Sequence, residues 1–213
     1  MRFDEYIVYD VRQCVVEWVV HFKSGNAASW SMHAQAIGKA RCRELVADKL
    51  SSKDSRELEE FTFAHGHYAR LLGGKIQVVK QIDVYDSPEV DAKYEAKKEE
   101  FRQAGKSTDA FWVFHGCPTV EGTRSICTGG FKVGGQDGHP ISNGAACGQG
   151  VYSATGPGTP MGYGQGSHSV ILCKALIGES GPQGQGDHWK PNGDWMIFRT
   201  AAQVLPKYVV HFA

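Results

Sequence analysis

The order of strand-like and helix-like segments along this chain predicts an α+β fold. Segments rich in β-branched and aromatic residues, typical of half-buried strands, recur from one end of the sequence to the other. One strand, turn and helix unit is sharply marked between residues 75 and 105, and a long glycine-rich stretch follows it. The 213 residues include 41% apolar and 22% charged ones, as in an ordinary folded globular protein.

The first third of the chain predicts strands followed by a helix. Tyr6 to Phe22 is dense in valine and aromatic residues and predicts one or two strands. Ser29 to Leu50 turns to alanine, glutamine, lysine and leucine, which favours a helix. The polar run from Ser51 to Leu58 is either a loop or the start of a second helix.

The best-marked local unit joins a strand to a helix. Lys75 to Tyr85 predicts a strand. Ser87 and Pro88 follow, in the order of an N-cap and a first helical residue. Apolar residues then recur on one face, and Gly105 is placed to end a helix that runs from Ser87 to Ala104.

The last half of the chain predicts four strands around a long loop. The strands are expected at Phe111 to Gly116, Ser169 to Ile177, Trp195 to Phe198 and Tyr208 to Phe212. Half of the 26 glycines lie between Gly129 and Gly166, with one short apolar run at Val151-Tyr152. Such a stretch cannot build a core, so it predicts a loop that lies on the scaffold and serves function.

Composition argues against several classes of protein. Lysine plus arginine equals aspartate plus glutamate, 23 each, so the strong positive field of a non-specific nucleic-acid-binding protein is missing. The six cysteines form no CxxC pair or Cys/His ligand pattern, which predicts reduced thiols and no metal site. The N-terminal apolar run is broken by charges and reads as neither a signal peptide nor a membrane span. The expected address is the cytosol or nucleus, with no membrane partner.

A series of motifs in the C-terminal part resembles a known family. The series comprises FHGCPTVEGTRSICTGGF (114–131), GQGVYSA (148–154), Tyr163, SVILCKALIG (169–178) and WMIFRTAAQVLPKYVV (195–210). Their order and spacing resemble the catalytic domain of the poly(ADP-ribose) polymerase superfamily, over residues 74–213. The resemblance implies an ADP-ribosyltransferase fold, with two packed antiparallel sheets around an NAD⁺ cleft and flanking helices. It also implies that residues 1–73 form an N-terminal extension of strand and helix.

The resemblance also implies the roles of individual residues. His115 would hydrogen-bond the adenosine ribose of NAD⁺, the Gly116 backbone would hold the nicotinamide carboxamide, Tyr152 would line the pocket and Tyr163 would stack on the ring. Breaking the bond between ribose and nicotinamide develops a cation, so a protein must grip both ends of the dinucleotide. The implied catalytic positions are His115 and Tyr152. The implied NAD⁺-binding positions are His115, Gly116, Tyr152, Ser153, Thr159 and Tyr163.

Two positions depart from the family pattern. The glutamate that polymerising members place eight residues before Gln203 is Trp195 here, which argues against polymer synthesis. The neighbouring Asp194 is expected to point to the opposite strand face. The serine that binds the carboxamide corresponds to Pro160, so Thr159 or Ser153 would have to supply the hydroxyl.

An internal repeat bears on the missing glutamate. Aligning Gln13 with Gln203 superposes two identical VVHF segments, at 19–22 and 209–212, and places Glu5 on Trp195. Residues 1–22 thus resemble the last strands of the same kind of domain. The favoured explanation is a fragment or duplication that leaves the tail of a preceding domain. The alternatives are that Glu5 completes the site, within one chain or across a dimer, and that the N-terminal strand is an added edge strand without a catalytic part.

Three functions are consistent with these features. The first is transfer of one ADP-ribose from NAD⁺ to a protein acceptor, with an acceptor carboxylate assisting the reaction and nicotinamide released. The second is a catalytically inactive relative that binds a partner or ADP-ribose, which Pro160 and Trp195 favour. The third is ADP-ribosylation of nucleic-acid ends, against which the neutral net charge argues. The intact His115-Gly116, Tyr152 and Tyr163 favour the first. The acceptor and the oligomeric state are not predicted.

Overall fold

The computed structural model describes residues 38–50, 55–72, 78–136 and 146–213. The chain divides into two compact units, Met1–Lys39 and Ala40–Ala213. The strands and helices with described bounds all lie in the second unit. The predicted strand at Tyr6 to Phe22, the repeat that includes Glu5 and the first part of the predicted helix at Ser29 fall outside the described residues.

The second unit is an α+β structure, which confirms the predicted class. Its strands are β1 (Arg41–Val46), β2 (Val79–Asp86), β3 (Ala110–His115), β4 (Val151–Ala154), β5 (Ser169–Leu176), β6 (His188–Trp189), β7 (Trp195–Phe198) and β8 (Val204–Phe212). Its α-helices are α1 (Ser55–Arg70), α2 (Pro88–Gln103), α3 (Val120–Gly129) and α4 (Gly158–Tyr163). Short 3₁₀ turns occupy Ala47–Lys49 and Ala201–Gln203.

The strands form one sheet in the order β1-β2-β8-β5-β3-β4-β7-β6, and every neighbouring pair is antiparallel. Two separate sheets were expected, and this part of the expectation is not met. The junction between β3 and β4 is nevertheless minimal, since Phe114 and Ala154 are its one paired position. Five strands therefore lie on one side of a narrow connection and three on the other.

Helices cover both faces of the sheet. Tyr68 of α1 packs with Ile82 and Leu172 on one face. Cys127 of α3 packs with Val113 and Ile171 on the other. Within the described segments no helix is long and apolar enough to cross a membrane.

The predicted unit of strand, turn and helix is confirmed with small shifts at its ends. Helix α2 begins at Pro88, and Gly105 ends it with a positive φ of 69°. Ser87 precedes the helix in an extended conformation, but its hydroxyl donates to the carbonyl of Thr128 at 2.8 Å instead of capping the helix. The cap residue is used to join α2 to the end of α3.

The helix predicted from Ser29 to Leu50 is wrong for its described part. Arg41–Val46 is a strand that pairs along its whole length with β2. Only Leu45 of this strand is fully buried, so backbone pairing with β2, not burial of an apolar face, holds it. The helix that does form, α1, begins in the polar run at Ser51 to Leu58, where one of the two predicted alternatives was a helix start.

The unit that contains the C-terminal motifs also contains β1 and α1. Both elements lie in the range 1–73 that was predicted as an extension, yet β1 extends the sheet and α1 covers one of its faces. Residues 41–72 are thus part of the same compact unit as the later strands.

Two glycines provide a matched test of this backbone. Gly66 lies in the middle of α1, exposed and with open space where a Cβ would stand, whereas Gly105 needs a positive φ. We expect Gly66→Ala to raise the free energy of unfolding by about 0.5–1 kcal/mol, because alanine is the better helix former. Gly105→Ala should lower it by roughly 1–2 kcal/mol, because an L residue is strained there. Urea unfolding followed by circular dichroism measures both, and equal shifts of one sign would contradict the assignment.

Candidate functional site

His115 lies at the end of β3, next to the single pair that joins β3 to β4. Its Nδ1 is 2.7 Å from the main-chain oxygen of Tyr152. A carbonyl oxygen only accepts, so Nδ1 carries the hydrogen, and in the neutral ring Nε2 is left as an acceptor. Burial lowers the pKa of His115, and the bond to Tyr152 only partly offsets that effect. The ring of Phe131 meets the imidazole edge-on, with 4.9 Å between centroids. His115 is therefore a neutral, oriented hydrogen-bond acceptor near pH 7.

Gly116 allows the loop after β3 to touch helix α4. A Cβ added at Gly116 would overlap the carbonyl oxygen of Pro160 and lie 2.9 Å from the Cβ of Tyr163. Only glycine leaves room for this approach of two backbones. The base of Tyr163 is thereby fixed against Gly116, while the residue as a whole is 47% exposed.

A buried serine fastens the same two segments a few residues further on. Ser167 Oγ donates to the carbonyl oxygen of Cys117 at 2.7 Å, and Ser169 Oγ lies 3.0 Å from Ser167 Oγ as its donor. Gly166 also packs directly on the carbonyl of Pro118, because a Cβ there would overlap that oxygen. We call residues 116–118 and 160–169, joined in this way, the glycine clamp. The clamp fixes the position of His115 relative to Tyr163.

Tyr152 of β4 is anchored by the end of the glycine-rich loop. Its hydroxyl donates to the carbonyl of Gly148 at 2.8 Å and accepts from the Cys147 N–H at 3.2 Å. Trp189 Nε1 donates to the Cys147 carbonyl at 2.6 Å, which ties the loop to β6. Burial is the main cause that raises the pKa of Tyr152, and Tyr163 is close enough to add to it. Tyr152 is a neutral phenol in a fixed position.

Trp195 lies beside Tyr152 on the neighbouring strand. Its backbone pairs with Ala154, and its ring meets the Tyr152 ring edge-on with 6.0 Å between centroids. The indole thus occupies the position at which the resemblance predicted the absence of a glutamate. No carboxylate comes from that position.

Ser153 and Thr159, the two hydroxyls predicted to replace the missing serine, have different surroundings. Ser153 is opposite Met196 in the β4–β7 ladder, so its side chain points to the core face and away from the face of Tyr152. Among the described residues this buried hydroxyl has no hydrogen-bond partner. Thr159 lies on α4 and donates to Asp194 Oδ1 at 3.2 Å.

Asp194 does not follow the strand alternation that predicted the face opposite Trp195. Strand β7 begins at Trp195, and Asp194 belongs to the turn before it. Its carboxylate therefore reaches α4, and its carbonyl accepts the Thr155 N–H at 2.9 Å. Contacts link His115 to the Tyr152 main chain, Gly116 to Tyr163, and Tyr152 to Trp195, and Thr159 lies on α4 with Tyr163. The side chains of Ser153 and His115 both lie on the sheet face opposite Tyr152, since His115 pairs with Ile171 and its ring contacts Phe131.

Sequence reasoning missed the side chains that hold the site. Ser167 sits in a polar, glycine-rich segment where nothing distinguishes a buried serine from a solvated one. Trp189 could have been noticed as an isolated tryptophan in a glycine- and proline-rich loop. Both act on backbone carbonyls, and such bonds have no sequence signature.

Comparison with known sequences adds no relative. No protein-family model matches the chain, and a search of curated proteins finds no significant similarity. Within the described residues no cluster of three histidine, cysteine or acidic side chains is arranged to hold a metal ion.

The glycine clamp can be tested by a matched pair of substitutions. Gly116→Ala forces a methyl group into the Pro160 carbonyl, whereas Gly162→Ala on α4 meets nothing within 4 Å. We expect the first to lower the free energy of unfolding by about 1–3 kcal/mol, the usual cost of overpacking. The second should change it by less than about 1 kcal/mol, in the stabilising direction. Chemical denaturation measures both values, and a Gly116→Ala protein as stable as the parent would disprove the close contact.

Proposed function

We propose that this chain is an NAD⁺-dependent mono-ADP-ribosyltransferase with a catalytic domain of the poly(ADP-ribose) polymerase type. The observation that carries the proposal is that residues of separate motifs are in contact beside the β3–β4 junction: His115 with the main chain of Tyr152, and Gly116 with the base of Tyr163. The roles of these residues were predicted from their sequence motifs alone. Neither the composition nor the periodicity of the sequence requires these residues to be neighbours, so their contacts support a shared function.

The sheet is compatible with the fold that the proposal requires. Strands β1, β2, β8, β5 and β3 separate from β4, β7 and β6 at the Phe114–Ala154 pair. An ADP-ribosyltransferase fold of two sheets around a cleft would have its cleft at such a junction. His115 and Tyr152 flank this point.

His115 is suited to bind a ribose hydroxyl. With Nδ1–H bonded to the Tyr152 carbonyl, Nε2 is an acceptor, and a sugar hydroxyl is a donor. The neutral ring needs no counter-ion. The other described histidines have no equivalent place beside a glycine at a strand end.

Gly116 and Tyr163 are suited to the nicotinamide end. The exposed part of the Tyr163 ring offers an aromatic face beside a glycine backbone, and a planar cationic ring is attracted to such a face. Holding the ribose at His115 and the nicotinamide at Tyr163 would orient the bond that breaks.

Trp195 supports transfer of one ADP-ribose instead of a polymer. The indole fills the space beside Tyr152, so the carboxylate expected of a polymerising enzyme is missing at that position. A protein side chain is the proposed acceptor. A cytosolic or nuclear address is part of the proposal, in agreement with the reduced cysteines predicted from sequence.

A second candidate function is NAD⁺ or ADP-ribose binding without catalysis. Pro160 supports it, because the resemblance aligns this buried residue with the carboxamide-binding serine, and its carbonyl already accepts the Gly164 N–H at 2.8 Å. Trp195 supports it as well. The two candidates differ in whether nicotinamide is released.

Incubation of the purified chain with NAD⁺ separates the two candidates. Intact-mass spectrometry and free nicotinamide are measured for the parent, His115→Ala and His65→Ala, the last being a histidine of α1 that serves as control. We expect single ADP-ribose additions or nicotinamide release in the parent and His65→Ala, with a loss of at least about 10-fold in His115→Ala. Calorimetric NAD⁺ binding without either product would establish the binding candidate. No binding would disprove both.

The lowered pKa of His115 gives a distinct pH prediction. Protonation would turn Nε2 into a donor and end its bond to a ribose hydroxyl. Because the pKa of His115 is below the ordinary value of about 6.5, NAD⁺ affinity should persist as pH falls through 6.5 and weaken only at more acidic pH. Calorimetry from pH 8 to 5, with His115→Gln as the non-titrating comparison, measures this. A midpoint above 6.5 in the parent alone would contradict it.

A further inference from the structure

Helix α4 carries Tyr163, the residue proposed to stack on nicotinamide, yet α4 is too short to hold its own position. It spans six residues, Gly158–Tyr163, and two of them are glycine. Isolated helices of this length are unstable in water, so the position of α4 depends on contacts with its surroundings. Gly116 supplies one such contact beside the Cβ of Tyr163. The opposite side of the helix is held by a different part of the chain.

The contact on that opposite side comes from α1. Tyr68 of α1 donates its hydroxyl hydrogen to Sδ of Met161, with 3.4 Å between oxygen and sulfur. Met161 and Tyr163 are two residues apart on α4 and therefore project to opposite sides of it. Met161 packs on the core cluster that contains Tyr68, Ala64 and Leu72, whereas Tyr163 is exposed. Helix α1 thus contacts α4 from the core side.

The position of Tyr68 is itself well determined. Its side chain is fully buried, and its ring is stacked on Phe212 of β8 with 6.5 Å between centroids. Burial raises the pKa of Tyr68 to about 12, so the phenol keeps its hydrogen at neutral pH and can donate it. A thioether sulfur accepts a hydrogen bond weakly and is also attracted to an aromatic ring. Tyr68 therefore joins α4 to the sheet through one side chain.

The loop that leads into α4 meets the end of the same helix. A Cβ added at Gly156 would lie 3.7 Å from the carbonyl oxygen of Leu71, the residue that follows α1. The end of α1 thus lies against both the loop before α4 and α4 itself. Residues 55–72 precede the motif series, and the sequence predicted no role for them at the site.

We propose that Tyr68 is a positioning residue for NAD⁺ binding, because its hydroxyl holds Met161 and thereby sets the place of Tyr163 at the nicotinamide end of the site. This inference rests on the proposed NAD⁺ site and applies to either candidate function. Tyr68 is buried behind α4, so its effect is expected in the affinity for NAD⁺ and not in the chemical step.

Two buried tyrosines give a matched pair of variants. Tyr68→Phe removes the hydroxyl and keeps the ring that stacks on Phe212. Tyr94→Phe removes a hydroxyl that is buried between α2 and the sheet and has no hydrogen-bond partner among the described residues. Met161→Leu removes the sulfur with little change of volume. The double variant Tyr68→Phe/Met161→Leu completes a cycle that isolates this pair from other contacts of either residue.

Three measurements separate positioning from simple stability. Calorimetry gives NAD⁺ affinity, and nicotinamide release gives kcat and KM. Amide hydrogen exchange at Met161 and Gly164, whose N–H groups bond within α4 and the residue before it, reports on the helix without any ligand. Thermal unfolding of every variant identifies one that fails to fold.

We expect Tyr68→Phe to weaken NAD⁺ affinity by about 3- to 10-fold, the effect of one hydrogen bond, and to raise KM to the same extent with kcat nearly unchanged. The amides of α4 should exchange faster in this variant. The double variant should lose no more affinity than Tyr68→Phe alone, because the two changes remove one shared bond. Tyr94→Phe should match the parent in affinity and in the exchange of α4.

Several results overturn the inference while NAD⁺ binding by the parent leaves the proposed site standing. They are equal affinity in Tyr68→Phe and the parent, equal losses in Tyr68→Phe and Tyr94→Phe, losses that multiply in the double variant, and a fall in kcat at constant KM. If Tyr68→Phe does not fold, Met161→Leu tests the same bond, and unchanged affinity there rejects it. A parent that binds no NAD⁺ rejects the proposed function and the inference together.

Discussion

The junction between β3 and β4 is the constraint on which the candidate site depends. Phe114 and Ala154 form its one paired position, and beyond it the two strands no longer follow each other. His115 stands at this point, and its Nδ1 binds the Tyr152 carbonyl. A side chain thereby links the two strands where the backbone ladder stops. A longer ladder would close the gap between the two groups of strands. Without the hydrogen bond to the Tyr152 carbonyl, the imidazole of His115 would have no defined tautomer.

The glycine clamp converts this junction into a site of fixed geometry. Gly116 and Gly166 let backbone meet backbone, and Ser167 adds a buried hydrogen bond to Cys117. A buried carbonyl without a partner costs about 1–3 kcal/mol, so the Ser167 hydroxyl matters for stability as well as position. At these two positions glycine is needed because two backbone segments touch, and not because of its conformational freedom. The glycine-rich character of residues 129–166 therefore has at least one local explanation in packing.

Prediction from sequence succeeded where the pattern was local. Helix α2 has its start, its apolar face and its end within 20 residues, and it was predicted almost to the residue. Strand β1 was predicted as a helix because its sequence, rich in charged residues, has no buried apolar face that would mark a strand. The partner that makes it a strand, β2, lies about 40 residues later in the chain. Ser153 was a reasonable donor from its place beside Tyr152, but the register against Met196 turns it to the core. Register and pairing are long-range properties, and a single sequence does not contain them.

By itself the sequence determined the α+β class, most strands of the C-terminal half, and the ordered motifs that nominate His115, Gly116, Tyr152 and Tyr163. These features depend on periodicity, turn residues and spacing, which are readable along the chain. Only the tertiary structure decided that the strands join in one sheet, that Trp195 packs on Tyr152, and that Asp194 reaches Thr159. The direction of Asp194 depends on where β7 begins. That boundary is set by pairing with β4, a contact between segments about 40 residues apart that no local pattern encodes.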